Sequence, residues 1–171
     1  MPDPPPTLHM LSGKIASGKS TLAGRLAATP GTILLTEDDW LKALFPGELN
    51  TLGDYVHRSA RLRAAVGPVV SSLLNAGISV VLDFAANTPG QRAWMRGILD
   101  GTQAAHQMHV MNMPDTVCLA RLRARNVTGD HPFAVTEAQF EEFSAYFVAP
   151  TEAEGFNVIL HDAGDDPAFD G

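Results

Sequence analysis

Between Thr7 and Thr21 the chain reads Thr-Leu-His-Met-Leu-Ser and then Gly-Lys-Ile-Ala-Ser-Gly-Lys-Ser-Thr. A short apolar run enters a glycine-bracketed loop, and helix-forming sequence follows it. The loop matches G-x-x-x-x-G-K-[ST]. Few local patterns restrict a fold as much, because this one needs a strand before it and a helix after it. Gly13 and Gly18 allow backbone conformations that a side chain would block. Successive N–H groups can then wrap an anion at the start of a helix whose dipole favours negative charge. Gly13, Lys14, Ile15, Ala16, Ser17, Gly18, Lys19, Ser20 and Thr21 are therefore the candidate phosphate cradle. In it Lys19 would reach the β- and γ-phosphates of a nucleoside triphosphate, and the Ser20 hydroxyl would sit on Mg²⁺.

The rest of the chain continues the alternation. Leu8 to Leu11 reads as the first strand, and Ser20 to Ala28 as a helix with Leu22 and Leu26 one turn apart. Thr32 to Thr36 is a continuous apolar run of the kind a buried parallel strand shows. Trp40 to Phe45 is a short helix closed by Pro46-Gly47. Asp54 to Asn75 places Leu62, Val66, Val69 and Leu73 on one stripe, and Gly67-Pro68 predicts a kink or a division into two pieces. Ile78 to Leu82 is the third strand and runs into Asp83. Thr88-Pro89-Gly90-Gln91 resembles a capping box, opening a helix to about Leu99 that buries Trp94 and Ile98. Gln107 to Met113 is the fourth strand, and a helix from Pro114 to Arg125 leads into a loop from Asn126 to Val135. Thr136-Glu137-Ala138-Gln139 is a second capping box, and Phe140, Phe143 and Phe147 on the helix after it read as core. Phe156 to Leu160 is the fifth strand. This alternation predicts an α/β layered fold with a mostly parallel five-stranded sheet and right-handed crossovers. Ligands in such sheets sit at the carboxyl ends of the strands.

A length of 171 residues suits one domain across the whole chain, with residues 1–6 and 162–171 as flexible ends. No apolar run approaches the roughly 20 residues of a membrane-spanning helix. The start Met1-Pro2-Asp3-Pro4-Pro5-Pro6 has neither the basic region nor the apolar stretch of a signal peptide, so a cytoplasmic location is expected. Cys118 is the one cysteine and reads as a small buried hydrophobe. The net charge of −7 weighs against a long nucleic-acid track, which would need many phosphates neutralised. The scattered histidines, His106 and His109 among them, match no metal-binding spacing and read as solvated or core residues.

Three predicted strand ends carry chemistry. The phosphate loop follows the first, Asp38 and Asp39 follow the second, and Asp83 closes the third. Phosphoryl transfer needs in-line positioning, charge neutralisation and a group to accept the proton of the attacking hydroxyl. Asp38 is the candidate for that base, while Asp39 reads as a cap for the short helix beginning at Trp40. Asp83, placed like a Walker B acid, is the second candidate Mg²⁺ group. Arg121 and Arg125 lie one turn apart on one helical face and are candidate lid cations; Arg123 points elsewhere. Arg58 with Arg61, and Arg92 with Arg96, are weaker candidates for an anionic substrate.

Together, Gly13 to Thr21, Glu37-Asp38-Asp39-Trp40, Val80-Val81-Leu82-Asp83 with Asn87-Thr88 and Arg92, and the arginine run resemble the small P-loop kinases. The nearest branch is the polynucleotide kinase-like, predicted-kinase group (AAA_33-like), with chloramphenicol phosphotransferase and zeta toxins as cousins. The resemblance spans Leu8 to about Leu160. It implies a three-layer P-loop NTPase domain with helices on both faces and strand order 2-3-1-4-5, which brings Asp83 beside Ser20. It also implies Asp38 as general base and a lid built on Arg121, Arg125 and the loop after them. Leu41, with Lys42 next to it, stands where polynucleotide kinases carry a phosphate-holding arginine, a departure that weighs against 5′-hydroxyl ends as the acceptor. No N-K-x-D sequence for guanine recognition is present. The expected function is transfer of the γ-phosphoryl group of ATP, with Mg²⁺, to a hydroxyl of a small molecule. A polynucleotide or nucleoside kinase, or an ATP-dependent switch without an acceptor, are the alternatives.

Overall fold

In the computed structural model, which describes residues 3–129 and 134–164, strands and helices alternate along the chain. They are β1 (Thr7–Ser12), α1 (Lys19–Ala27), β2 (Thr32–Thr36), α2 (Glu37–Leu44), α3 (Leu52–Asn75) and β3 (Ser79–Ala85). These are followed by α4 (Pro89–Asp100), β4 (Ala105–Asn112), α5 (Asp115–Thr128), α6 (Glu137–Ala145), a 3₁₀ turn (Glu152–Glu154) and β5 (Val158–Asp162). The strands form one parallel sheet of order β2-β3-β1-β4-β5, the order the family resemblance implies. Residues 1–2, 130–133 and 165–171 lie outside the described part, and with them much of the expected lid loop and of the tail.

Period-two alternation in the central strands gives the sheet an apolar surface on both faces. Leu8, Met10, Val80, Leu82, Met108 and Val110 pack on one side with Leu62, Val66 and Val70 of α3 and Met95 and Ile98 of α4. Leu11, Val81 and Met111 face the other side, against Leu22 of α1, Cys118 and Leu122 of α5, and Phe140 of α6. Helices thus cover both faces, as parallel strands require. Cys118 is fully buried, as its place in the α5 pattern predicts.

Several sequence expectations are corrected by the packing. The β2 run is not buried: it forms an edge of the sheet, and Ile33 and Leu34 are 37% and 38% exposed. The helix after it starts at Glu37 rather than Trp40, with Thr36 as N-cap, so Asp39 lies in the first turn and caps nothing. Its charge there still suits the positive end of the helix dipole. Helix α3 passes through Pro68 as a single element. Its buried stripe is Leu62, Val66, Val70 and Leu74, whereas Val69 is 52% exposed. The rotation follows from Ser59 and Arg63, which the helix also turns inward. At the far end, β5 extends to Asp162, and the Asn112 amide donates to the Asp162 carboxylate. His109 is buried in the sheet, its two ring nitrogens 3.2 Å from His9 Nδ1 and 3.0 Å from His161 Nε2. Burial, with the charges of those two rings, pushes it down to about 4.

Candidate active site

The strand ends converge on a cleft of about 1470 Å³. Its floor is the glycine-bracketed loop. Gly13 sits so close to its neighbours that a Cβ would fall 2.5 Å from Ser17 Oγ and 2.8 Å from Met111 Cβ. Asn87, just past β3, holds that glycine from both sides: its Oδ1 accepts from Gly13 N–H at 2.8 Å and its Nδ2 donates to Gly13 O at 2.8 Å. Ala16 and Gly18 take the left-handed region, at φ 59° and 98°. The loop is therefore built from contacts a chance glycine turn would not have.

The loop delivers a bare helix end. Among the described helices, α1 alone opens with neither a side-chain cap nor an acidic residue in its first turn. Its orphan N–H groups are left for an anion. Lys19 Nζ lies over this end and donates to Gly13 O at 2.6 Å and Lys14 O at 2.8 Å. Burial pushes its ammonium down to about 8, against the pull of Asp83 and Asp38. Beside it Ser20 Oγ donates to Asp83 Oδ2 at 2.7 Å. Burial raises the Asp83 carboxyl, partly offset by that hydrogen bond and by Lys19. The register Leu35↔Leu82 and Met10↔Leu82 sets β3 between β2 and β1, which places Asp83 next to the loop.

Asp38 lies in the first turn of α2 and lines the same cleft. Its carboxyl is pushed up to about 6, first by burial and then by the neighbouring Glu37 and Asp83 charges, while Lys19 and Arg125 oppose the rise. Arg121 and Arg125 both line the cleft from α5. Arg125 Nε is buried with no hydrogen-bond partner. Arg123 turns away and pairs with Glu137, as its helical position predicts. Cleft-lining Lys14 pairs with Asp115 at 2.7 Å and stands over the Phe147 ring. Lys14 to Thr21, Asp38, Asp83, Arg121 and Arg125 thus line one cleft. The arginines offered to an anionic substrate do not: Arg92 is buried and bonded to Glu154 and to the Ala86 and Val148 carbonyls, and Arg96 donates to Glu154 O. Arg58 pairs with Glu48 over the Phe45 ring.

The family model of an AAA domain, AAA_33, matches residues 8–150. The chain belongs to that family. Among solved structures, this AAA_33 chain is similar to a candidate kinase from Chloroflexus aurantiacus J-10-fl, at 19% identity and TM-score 0.73, over 96% of this chain and 88% of that one. It is also similar to Chaetomium thermophilum Kti12 in complex with ADP-AlF3, at 15% identity and TM-score 0.69, over 95% and 92%. A third is the Mycobacterium tuberculosis APS kinase CysC in complex with AMPPNP and APS, at 18% identity and TM-score 0.64, over 98% and 93%. At these identities the likeness is one of fold. No curated protein matches the sequence.

Some residues that shape the AAA_33 site were not singled out in the sequence. Glu37, next to Asp38, is buried and accepts from Arg63 Nε at 3.1 Å, Arg63 Nη2 at 3.2 Å, Tyr55 Oη at 3.3 Å and the Ser59 hydroxyl. Arg63 Nη2 also donates to Ala85 O at 2.9 Å, so the cluster ties α2 and α3 to the end of β3. The available signal was Ser59 and Arg63, one turn apart beside the apolar stripe of α3. Phe143 and Phe147, expected in the core with Phe140, instead line the cleft, and Phe143 meets Tyr55 edge-on at 6.0 Å. Leu41 is fully buried, and Lys42 is exposed and outside the cleft lining. Among the described residues no helix is long and apolar enough to cross a membrane.

Proposed function

We propose that this protein is an ATP-dependent kinase that transfers the γ-phosphoryl group to a hydroxyl of a small molecule. The observation that carries the reading is Asp38: a carboxylate poised near neutrality, in the same cleft as a bare helix end, Lys19 and two arginines. A cleft of about 1470 Å³ exceeds the roughly 300–1,000 Å³ of a pocket for one ligand, which suits a donor and an acceptor together. The kinase and nucleotide-analogue complexes among the structural neighbours support the same reading.

In the reaction, the loop amides and Lys19 hold the β- and γ-phosphates of the donor. Asp38 accepts the proton of the acceptor hydroxyl as the oxygen attacks. The new O–P bond forms as the bond from Pγ to the bridging oxygen breaks, and ADP leaves with that electron pair. Arg121 and Arg125 neutralise charge on the transferring group, which in a half-enclosed cleft counts for more than it would in water. Ser20 Oγ and Asp83 Oδ2, 2.7 Å apart, are hard oxygen donors that fit Mg²⁺ and would be the residues to hold it. Bound there, Mg²⁺ supplies further charge neutralisation at the phosphates.

The deciding variant is Asp38→Asn. It should bind ATP nearly as the parent does and lose about two to four orders of magnitude in turnover, measured by transfer from labelled ATP to a confirmed acceptor. Unchanged turnover removes Asp38 from the chemistry. Tight ATP binding with no acceptor among sugars, nucleosides, antibiotics and oligonucleotides points instead to a nucleotide-dependent switch.

A further inference from the structure

We infer that the acceptor carries no negative charge: it is a neutral or cationic hydroxyl compound with an apolar or aromatic part that lies against Tyr55 and Phe143. The inference rests on the kinase reading and adds the chemical class of the second substrate. It comes from the half of the cleft across from the phosphate loop, where Asp38, the segment leading into α3, and α6 provide the lining.

An anionic acceptor needs cations or free backbone amides on that side. Among the described residues lining the cleft, the cations are Lys14 and Lys19 of the loop, and Arg121 and Arg125 of α5. Lys14 is paired with Asp115, Lys19 lies over the start of α1, and the proposed mechanism assigns Arg121 and Arg125 to the transferring phosphoryl group. Of the cations on α3 and α4, Arg61 is not part of the cleft lining and the others are committed elsewhere. Arg58 is on Glu48, Arg63 on Glu37, and Arg92 on Glu154, while Arg96 donates to the Glu154 carbonyl.

The helix ends are closed as well. At α3 the Asp54 carboxylate accepts from the N–H groups of Asn50 and Thr51, at 3.1 Å and 3.0 Å. At α4 the Gln91 side chain accepts from Asn87 and Thr88 N–H, and at α6 Gln139 accepts from Thr136 N–H. These capping boxes fill the positions where an anion would otherwise dock.

The charged groups that face the acceptor space are acidic, and beside them the lining is apolar or neutral, with Asn50, Thr51, Gln139 and Ser144 as its uncharged polar members. Asp38 and Glu142 line it, and Glu142 is exposed. Val56 and Tyr146 leave 59% and 61% of their surface open while lining the cleft, and Tyr55 and Phe143 meet edge-on above the Glu37 cluster. An anion here would lose hydration with no cation to offset the cost and would meet two carboxylates. A neutral or cationic compound with a flat apolar part covers the aromatic surface instead.

Three probes sharing one aryl-alcohol skeleton separate the cases: phenylethanediol (neutral), phenylethanolamine (cationic) and phenyllactate (anionic). Each is titrated by ligand-observed NMR into the full chain loaded with Mg²⁺ and AMPPNP, and each is then offered as acceptor with labelled ATP. The neutral and cationic probes should bind about tenfold or more tightly than phenyllactate, and Glu142→Lys should narrow that gap. Equal or tighter binding of phenyllactate overturns the inference, as does failure of both other probes to bind. If the binding order is as expected but no probe receives phosphate, the charge preference stands, and the kinase reading is decided separately by the wider acceptor screen.

Discussion

Asp38 combines two properties that pull against each other. Its charge is costly where it sits, because burial and the Glu37 and Asp83 carboxylates disfavour it, and Lys19 and Arg125 only partly compensate. As a base it must nevertheless be ionised. On the proposed mechanism kcat/KM should therefore rise with pH through about 6 and level off above it, a limb that Asp38→Asn abolishes. The stability effect has the opposite sense. A carboxyl whose folded value lies above its unfolded one contributes stability that is full at low pH and lost as pH rises through about 6. Asp38→Asn removes that cost, so at neutral pH it should melt later than the parent, with a gain of about 1–3 kcal/mol. A thermal melt at pH 4 and at pH 7.5 checks this, since the gain should vanish at the lower pH. A variant that is both slower and more stable is what a functional carboxylate predicts and a merely solvated one does not.

At the scale of elements, the cluster on Glu37 fixes where Asp38 points. Helix α2 starts at Glu37, and that first side chain is anchored by Arg63 and Ser59 of α3 and bonded at 3.4 Å from the Ala85 N–H of β3. Removing one partner leaves the other charge buried. Arg63→Ala should therefore cost about 3–5 kcal/mol in chemical denaturation, and it also removes the guanidinium stacked 4.8 Å over Trp94. Glu37→Gln is the subtler probe. It takes away one of the charges that raise Asp38, so the acid limb of the rate profile should move to lower pH, with circular dichroism confirming that the variant is folded. The elements themselves were largely legible. Capping boxes at Thr88 and Thr136 and the turn at Thr29-Pro30-Gly31 are local chemistry, and the structure keeps them. The rotation of α3 was not legible, because apolar spacing accommodates either Val69 or Val70. Which one is buried depends on Arg63 meeting a carboxylate 26 positions away.

Across the molecule, the cleft joins residues from nearly the whole length of the chain, from Lys14 to Phe147. Binding the donor should tie these parts together. Mg²⁺ and ATP at about 100 times the dissociation constant should add about 2.7 kcal/mol to the stability of the parent protein, visible as a melt shifted upward by several degrees. Lys19→Ala should lose most of that shift while melting normally without ligand, and an unshifted parent would speak against nucleotide binding altogether.

What the sequence determined by itself was everything set by short spacing: the strand, loop and helix around Gly13 and Gly18, the alternation that makes a parallel sheet, and the acids that end two strands. Those signals depend on residues a few positions apart, and a few positions are enough to express them. Burial and pairing were decided by the tertiary structure. It put β2 at an open edge and turned Phe143 toward the cleft. It also paired Arg58, Arg63 and Arg92 with carboxylates of the chain itself. Each of these depends on which distant segments meet, and a charge is satisfied by whatever the fold brings within reach.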